Sequence, residues 1–180
     1  MPRGYVLQPT YRVREGRPVV QLFGKLEDGA AFLIEEDRFR PYFFVHASNA
    51  AILVGERNVA LSPTTCTDLA GAELVRVEVP LPGAVPALRD RLAARGKCAL
   101  EADIRFPYRY LIDRGVRATL QVEGSEERRG GLRVFRNPEV GPAELTPHLR
   151  FVSLDLETSP DASRIFSAAL VCDGFEEVLT

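Results

Sequence analysis

"ELVRVEVPLPGAVPALRDRLAARGKCALEADI", residues 73 to 104, decides the fold class, because strand, helix and strand patterns follow one another in it. The first seven residues alternate like a strand with one buried face. "AVPALRDRLAARG" then places Val85, Leu88 and Leu92 on one helical face, with Pro86 near the start and Gly96 at the end, where a helix tolerates them. "KCALEADI" reads as the next strand, so residues 73 to 104 are predicted to form a β-α-β unit.

Upstream, the first 45 residues read as a β-meander. "YRV" and "PVVQLFGKL" flank "REGR", and "AAFLIEE" follows the Asp-Gly hairpin signal of "EDG". "RPYFFVHA" is a nearly unbroken apolar and aromatic run, as expected of a strand covered on both faces. Residues 48 to 72 show no clear period. Downstream, "FPYRYLIDRG" reads as a short helix closed by Gly115. Residues 124 to 147 are rich in Gly, Pro and charge, which suits a loop or hairpin and then a connection between domains. "RFVSLDLE" alternates again, "IFSAALVC" is almost wholly apolar, and an Asp-Gly turn leads into "FEEVL": the opening of a second sheet. The fold class is therefore α+β, a mixed domain over residues 1–147 followed by the first strands of another over 148–180.

Composition excludes several classes. Apolar residues make up 46% and charged residues 27% of the 180, the mix of a protein that buries a core. No apolar run reaches the ~18 residues of a membrane span, and "MPRGYVLQPTYRVREG" lacks the apolar centre of a signal peptide. A cytoplasmic protein without membrane contact is expected. Cys66, Cys98 and Cys172 are odd in number and far apart, which argues against a disulfide framework or a zinc knuckle and for reduced core thiols. His46 and His148 have no ligand-spaced partner. The net charge of −2 does not favour nucleic acid, but between Arg105 and Arg136 arginines outnumber acids eight to four, a surface able to hold phosphates. Lys25 and Lys97 are the only lysines among 23 basic residues, so a chain-wide preference for arginine accounts for part of this.

"FVSLDLETSP", residues 151 to 160, carries Asp155 and Glu157 inside an apolar strand. Side chains at i and i+2 share a strand face, with Cα atoms about 6.5–7 Å apart. Two neighbouring carboxylates repel each other and resist desolvation, and a divalent cation between them removes that penalty. Mg²⁺ or Mn²⁺ prefers such oxygen ligands, and a pair of these ions promotes phosphodiester cleavage. The plain alternative is a half-exposed strand with solvated acids, and no other acidic cluster obviously supplies further ligands.

At this point the wider sequence resembles the family B DNA polymerases, archaeal-type or bacterial polymerase II-like. "FVSLDLET" is similar to the first exonuclease motif of their proofreading domain. "EGRPVVQLFGKLEDG", "RFRPYFFV", "GAVPALRDRLAARG" and "ALEADIRFPYRYLIDRG" are similar, in order, to successive segments of their N-terminal domain; residues 46 to 72 match least and look shorter than in archaeal relatives. The resemblance implies a polymerase N-terminal domain over 1–147 and the first strands of a truncated RNase-H-like 3′–5′ exonuclease over 148–180. It implies Asp155 and Glu157 as catalytic metal ligands for Mg²⁺ or Mn²⁺ in the intact enzyme, with no metal bound and no turnover in these 180 residues alone. It further implies a pocket that recognises template uracil, with Tyr11, Pro41, Val85 and Phe106 at lining positions and Arg109 and Tyr110 beside them. Arg105 stands where archaeal relatives carry proline.

The partners expected on this reading are single-stranded template DNA, met also by Arg105, Arg114 and Arg117, and the rest of the polymerase chain. The cut sheet is expected to pack on the first domain or to mediate self-association. Two other classes stay open: a small metal-dependent nuclease, and a polymerase-derived interaction module without catalysis.

Overall fold

In a computed structural model describing residues 1–180, the alternating N-terminal segments form strands. Arg3–Arg14 (β1) and Arg17–Leu26 (β2) pair antiparallel around Glu15 and Gly16, whose φ values of 51° and 74° are those a tight hairpin turn requires. Ala31–Glu36 (β3) returns along β2 after the Asp28-Gly29 turn, where the Asp28 carboxylate accepts the Ala30 amide at 3.0 Å. β1 is longer than "YRV" suggests.

The chain divides into two compact units, Met1–Leu145 and Thr146–Thr180. In the first, Thr119–Glu123 (β7), Glu126–Arg129 (β8), Leu132–Arg136 (β9) and Glu139–Pro142 (β10) join the meander in a seven-stranded sheet of order β10-β7-β1-β2-β3-β9-β8. The Gly- and Pro-rich stretch from 124 onward thus supplies the expected hairpin, β8 and β9, and one strand not foreseen, β10, before the connecting residues that follow Pro142. β9 pairs parallel with β3 and every other pair is antiparallel. The helix Phe106–Asp113 (α2) covers one face, packing Phe106, Tyr110 and Leu111 on Val20, Leu22, Ile34 and Leu120.

Residues between β3 and β7 build a smaller module. Tyr42–His46 (β4), Ala60–Thr67 (β5) and Glu73–Glu78 (β6) form a sheet of order β4-β6-β5, and the helix Ala84–Ala93 (α1) buries Leu88 and Leu92 on Phe43, Val45 and Val77. A 3₁₀ segment, Ala47–Leu53, and β5 occupy the stretch that had no period. Both helices stop where their glycines place the stop. Val116 N–H reaches the Leu111 carbonyl and Lys97 N–H the Leu92 carbonyl, at 2.9 and 3.0 Å, around left-handed Gly115 and Gly96.

"KCALEADI" is not a strand. Only Leu100 pairs, exchanging both backbone hydrogen bonds with Phe44 at 2.8 and 3.0 Å. Glu101 at φ 58° then turns the chain away, so the β-α-β unit closes on a single residue. The cysteines depart from expectation too: they are unpaired, but Cys66 and Cys98 are exposed and Cys172 half-buried, none of them in a core. No helix is long and apolar enough to cross a membrane.

In the second unit, Val152–Thr158 (β11), Ile165–Cys172 (β12) and Phe175–Leu179 (β13) form an antiparallel sheet in chain order, with Gly174 at φ 75° in the Asp-Gly turn. Between β11 and β12, the Asp161 carboxylate accepts from Ser159 Oγ at 2.6 Å and from the Ser163 amide and hydroxyl, which holds its pKa down to about 2.

Candidate functional site

β7 pairs with β1 only at Arg3–Tyr5, and a bulge between Val6 and Gln8 follows, so from Leu7 onward β1 is a free edge. That edge forms one wall of a cleft of about 600 Å³. The other walls are Pro41 and Tyr42 at the start of β4, the Pro82-Gly83 turn with Val85 and Arg89 of α1, and Ala102–Arg109, which enter α2. Arg105 is extended (ψ 136°) and Pro107 follows in the first turn, where its missing N–H costs nothing; this pair fixes the angle at which α2 leaves the wall.

Phe106 forms the floor. Its ring stacks on Phe39 at 5.5 Å and meets Tyr11 edge-on at 5.5 Å, and only 5% of the residue is exposed. Tyr11 is 40% exposed and stands at the rim. Behind the wall, the Tyr42 ring lies between Arg76, 3.7 Å from its centroid, and Arg109 at 4.9 Å. The Tyr42 hydroxyl donates to Asp113 at 2.7 Å; burial first, then this hydrogen bond, pushes its pKa up to about 12. Arg109 is buried, donates to the Glu101 carboxylate at 2.6 Å, and keeps Nε without a partner. It braces the cleft from beneath and joins the inserted module to α2.

The structure therefore brings Tyr11, Pro41, Val85, Arg105, Phe106 and Arg109 to one cleft. It places Tyr110 elsewhere: wholly buried behind the floor, with a hydroxyl that has no partner and a pKa pushed up to about 12 by burial. Arg114 sits 5.4 Å over the Tyr110 ring and Arg117 is exposed beyond α2; neither lines the cleft. Sequence reasoning missed Gln8, Thr10, Tyr42 and Arg89. Tyr42 is hidden in the apolar run "RPYFFVHA", where only the Pro before it marks a strand start.

Asp155 pairs with Ala169 and Glu157 with Ser167, so the two carboxylates share one face of β11, and Val152, Leu154 and Leu156 share the other. The chain holds no group of three or more His, Cys, Asp or Glu side chains able to bind a metal. Two carboxylates are fewer than a two-metal centre needs, so Asp155 and Glu157 amount to part of such a donor set.

No protein-family profile matches the chain. An α+β unit with an aromatic-floored cleft at a sheet edge has clear relatives all the same. The DNA polymerase of Archaeoglobus fulgidus is 31% identical over 163 residues, covering 85% of this chain and 20% of that protein. The DNA polymerase of Thermococcus sp. 9oN-7 is 33% identical over 138 residues, covering 68% and 17%. The structure of the family B DNA polymerase from Pyrobaculum calidifontis superposes with a TM-score of 0.70 at 30% identity, over 98% of this chain and 26% of that one. The chain is homologous to the family B DNA polymerases over most of its length. It spans about a fifth of the length of these two curated relatives.

Proposed function

We propose that the first unit is the N-terminal, template-binding module of a DNA polymerase, and that its cleft receives one unpaired base of single-stranded DNA. The observation that carries this is the convergence of Tyr11, Pro41, Val85, Arg105, Phe106 and Arg109, from separate segments, on one concave site with an aromatic floor. A volume of about 600 Å³ suits a nucleotide-sized guest. A base gains about 1–3 kcal/mol by stacking on an aromatic ring in a sequence-tolerant way. Discrimination comes from fit: a slot closed by Pro41 and Val85 accepts uracil and resists thymine, whose extra methyl costs about 1–3 kcal/mol.

Fluorescence anisotropy with labelled single-stranded DNA, uracil-containing against its thymine match, tests this. Uracil binding about tenfold tighter, lost in Val85→Phe, is the expected result. Equal binding would remove the base pocket and leave a template-guiding surface. Absence of binding would favour the interaction-module reading.

The second unit is proposed to contribute Asp155 and Glu157 to the metal site of a 3′–5′ exonuclease, completed by ligands outside these 180 residues. Supporting this are the shared face of the two carboxylates and the polymerase homology. When bound, Mg²⁺ or Mn²⁺ would supply the activation of water. Incubation of the purified chain with single-stranded DNA and Mn²⁺ separates this from a self-sufficient nuclease: the expected outcome is intact DNA.

A further inference from the structure

From Gln8 to Arg14 the register of β1 is unbroken, so Gln8, Thr10, Arg12 and Arg14 project from one face of the strand. Gln8 and Thr10 line the cleft. Arg12 and Arg14 continue the same row beyond it and converge on Glu35, a carboxylate only 4% exposed. Arg12 Nη2 donates to Glu35 Oε1, as do Arg14 Nη2 at 3.1 Å and Gln21 Nε2 at 3.1 Å. Arg136, the cross-strand neighbour of Glu35, approaches Oε2 at 3.8 Å.

A single arginine in a two-point pairing would satisfy one carboxylate. Here three guanidinia crowd one, and Oε2 has no hydrogen bond at all. Glu127 offsets Arg129 at 3.0 Å and lies 3.6 Å from Arg136, and no other acid joins the cluster. Four arginines thus face two carboxylates. Arg12, Arg14 and Arg136 remain 44–47% exposed, and Arg12 and Arg14 each engage Glu35 through Nη2 alone out of five N–H donors. Buried Glu35 gathers them about one point, a preorganised cluster of donors that favours phosphate oxygens over diffuse counterions.

We propose that Arg12, Arg14 and Arg136 form a phosphate clamp for the same strand whose base enters the cleft, gripping successive phosphodiesters as that strand leaves along the free edge of β1. The Cα atoms of Arg12 and Arg14 stand about 6.5–7 Å apart, close to the separation of successive phosphates in an extended strand, while in the absence of DNA their guanidinia meet at Glu35 Oε1. The proposal rests on the reading of the first unit as a single-strand binder, and it adds the direction in which the strand runs.

The test is the salt dependence of anisotropy binding of a 12-mer single strand to the full 180-residue chain. For wild type, Arg12→Gln/Arg14→Gln and Arg136→Gln, the uracil-to-thymine ratio is measured in parallel. Each phosphate contact adds about 0.7 to the slope of log K against log salt. The double variant is expected to lose about 1.4 and Arg136→Gln about 0.7, with the uracil ratio unchanged, whereas Arg12→Lys/Arg14→Lys keeps most of the slope. An unchanged slope in folded double variant, checked by its melting curve, overturns the clamp. Loss of the uracil ratio with the slope intact in wild type overturns the cleft reading alone. Inorganic phosphate alone is the last arm: if it raises the melting temperature of wild type but not of the double variant, while the DNA slope is the same for both, the site binds free anions and the strand path is refuted.

Discussion

Truncating Phe106 to alanine tests the packing of the cleft floor and its use together. The ring is 5% exposed and sits between Phe39 and Tyr11. Removing a buried phenylalanine ring costs about 3–5 kcal/mol in lost transfer energy and residual cavity. Two aromatic partners, each adding about 0.5–1.5 kcal/mol, place this site in the upper half of that range. Tyr11→Ala, at a rim position 40% exposed with one aromatic partner, should cost about 1–2 kcal/mol. Urea unfolding at neutral pH gives both values, and the double variant gives a coupling of about 0.5–1.5 kcal/mol for the edge-on pair. The same proteins, assayed for DNA in conditions where they stay folded, should lose the preference for uracil. A Phe106→Ala cost below about 2 kcal/mol, or zero coupling with Tyr11, would refute the floor as described.

Three more outcomes follow. In Gly24→Ala the new methyl would stand 2.0 Å from the Tyr5 carbonyl oxygen and 2.6 Å from the Phe32 ring, so β1 must detach from β2 at its bulge; a loss of about 3 kcal/mol or more in urea unfolding is expected. Glu101→Ala removes the only carboxylate on buried Arg109; because Glu101 itself is half-exposed, the loss should be about 1–2 kcal/mol, restored by Glu101→Asp only if the shorter side chain still reaches Nη2. Tyr42 and Tyr110 have folded pKa values raised from 10 to about 12, so the stability they contribute is full below pH 10 and is lost as pH rises toward 12. The urea midpoint should fall between pH 10 and pH 12, and Tyr42→Phe should flatten part of that fall.

Much of this fold is legible in local chemistry. Asp28-Gly29, Gly96 and Gly115 sit where left-handed backbone ends an element, and each does so. The helical face of Leu88 and Leu92 is buried as its spacing requires. "KCALEADI" fails because its period is that of a strand while Glu101, a residue type with no mark of a turn, takes φ 58°. That conformation serves Arg109, eight residues further on, a tertiary demand invisible in a local window. The cleft was legible only through resemblance: Tyr11 and Phe106 touch because β1 and α2 meet across the sheet, and no period relates residues 95 positions apart. The Glu35 cluster was unreadable for the same reason, since it joins β1, β2, β3 and β9.

The parallel pairing of β3 with β9 also has a consequence for how the chain is made. β3 is finished by residue 36, yet its second neighbour is not complete until residue 136, so during synthesis a three-stranded meander with both edges bare waits while a hundred residues emerge. Non-local pairings of this kind slow folding and leave edges open to wrong partners. The intervening module has its own core and its own sheet, and so can settle first on the ribosome. With residues 42 to 102 folded on themselves, the stretch that separates β3 from β9 is held compact instead of trailing as a long open loop.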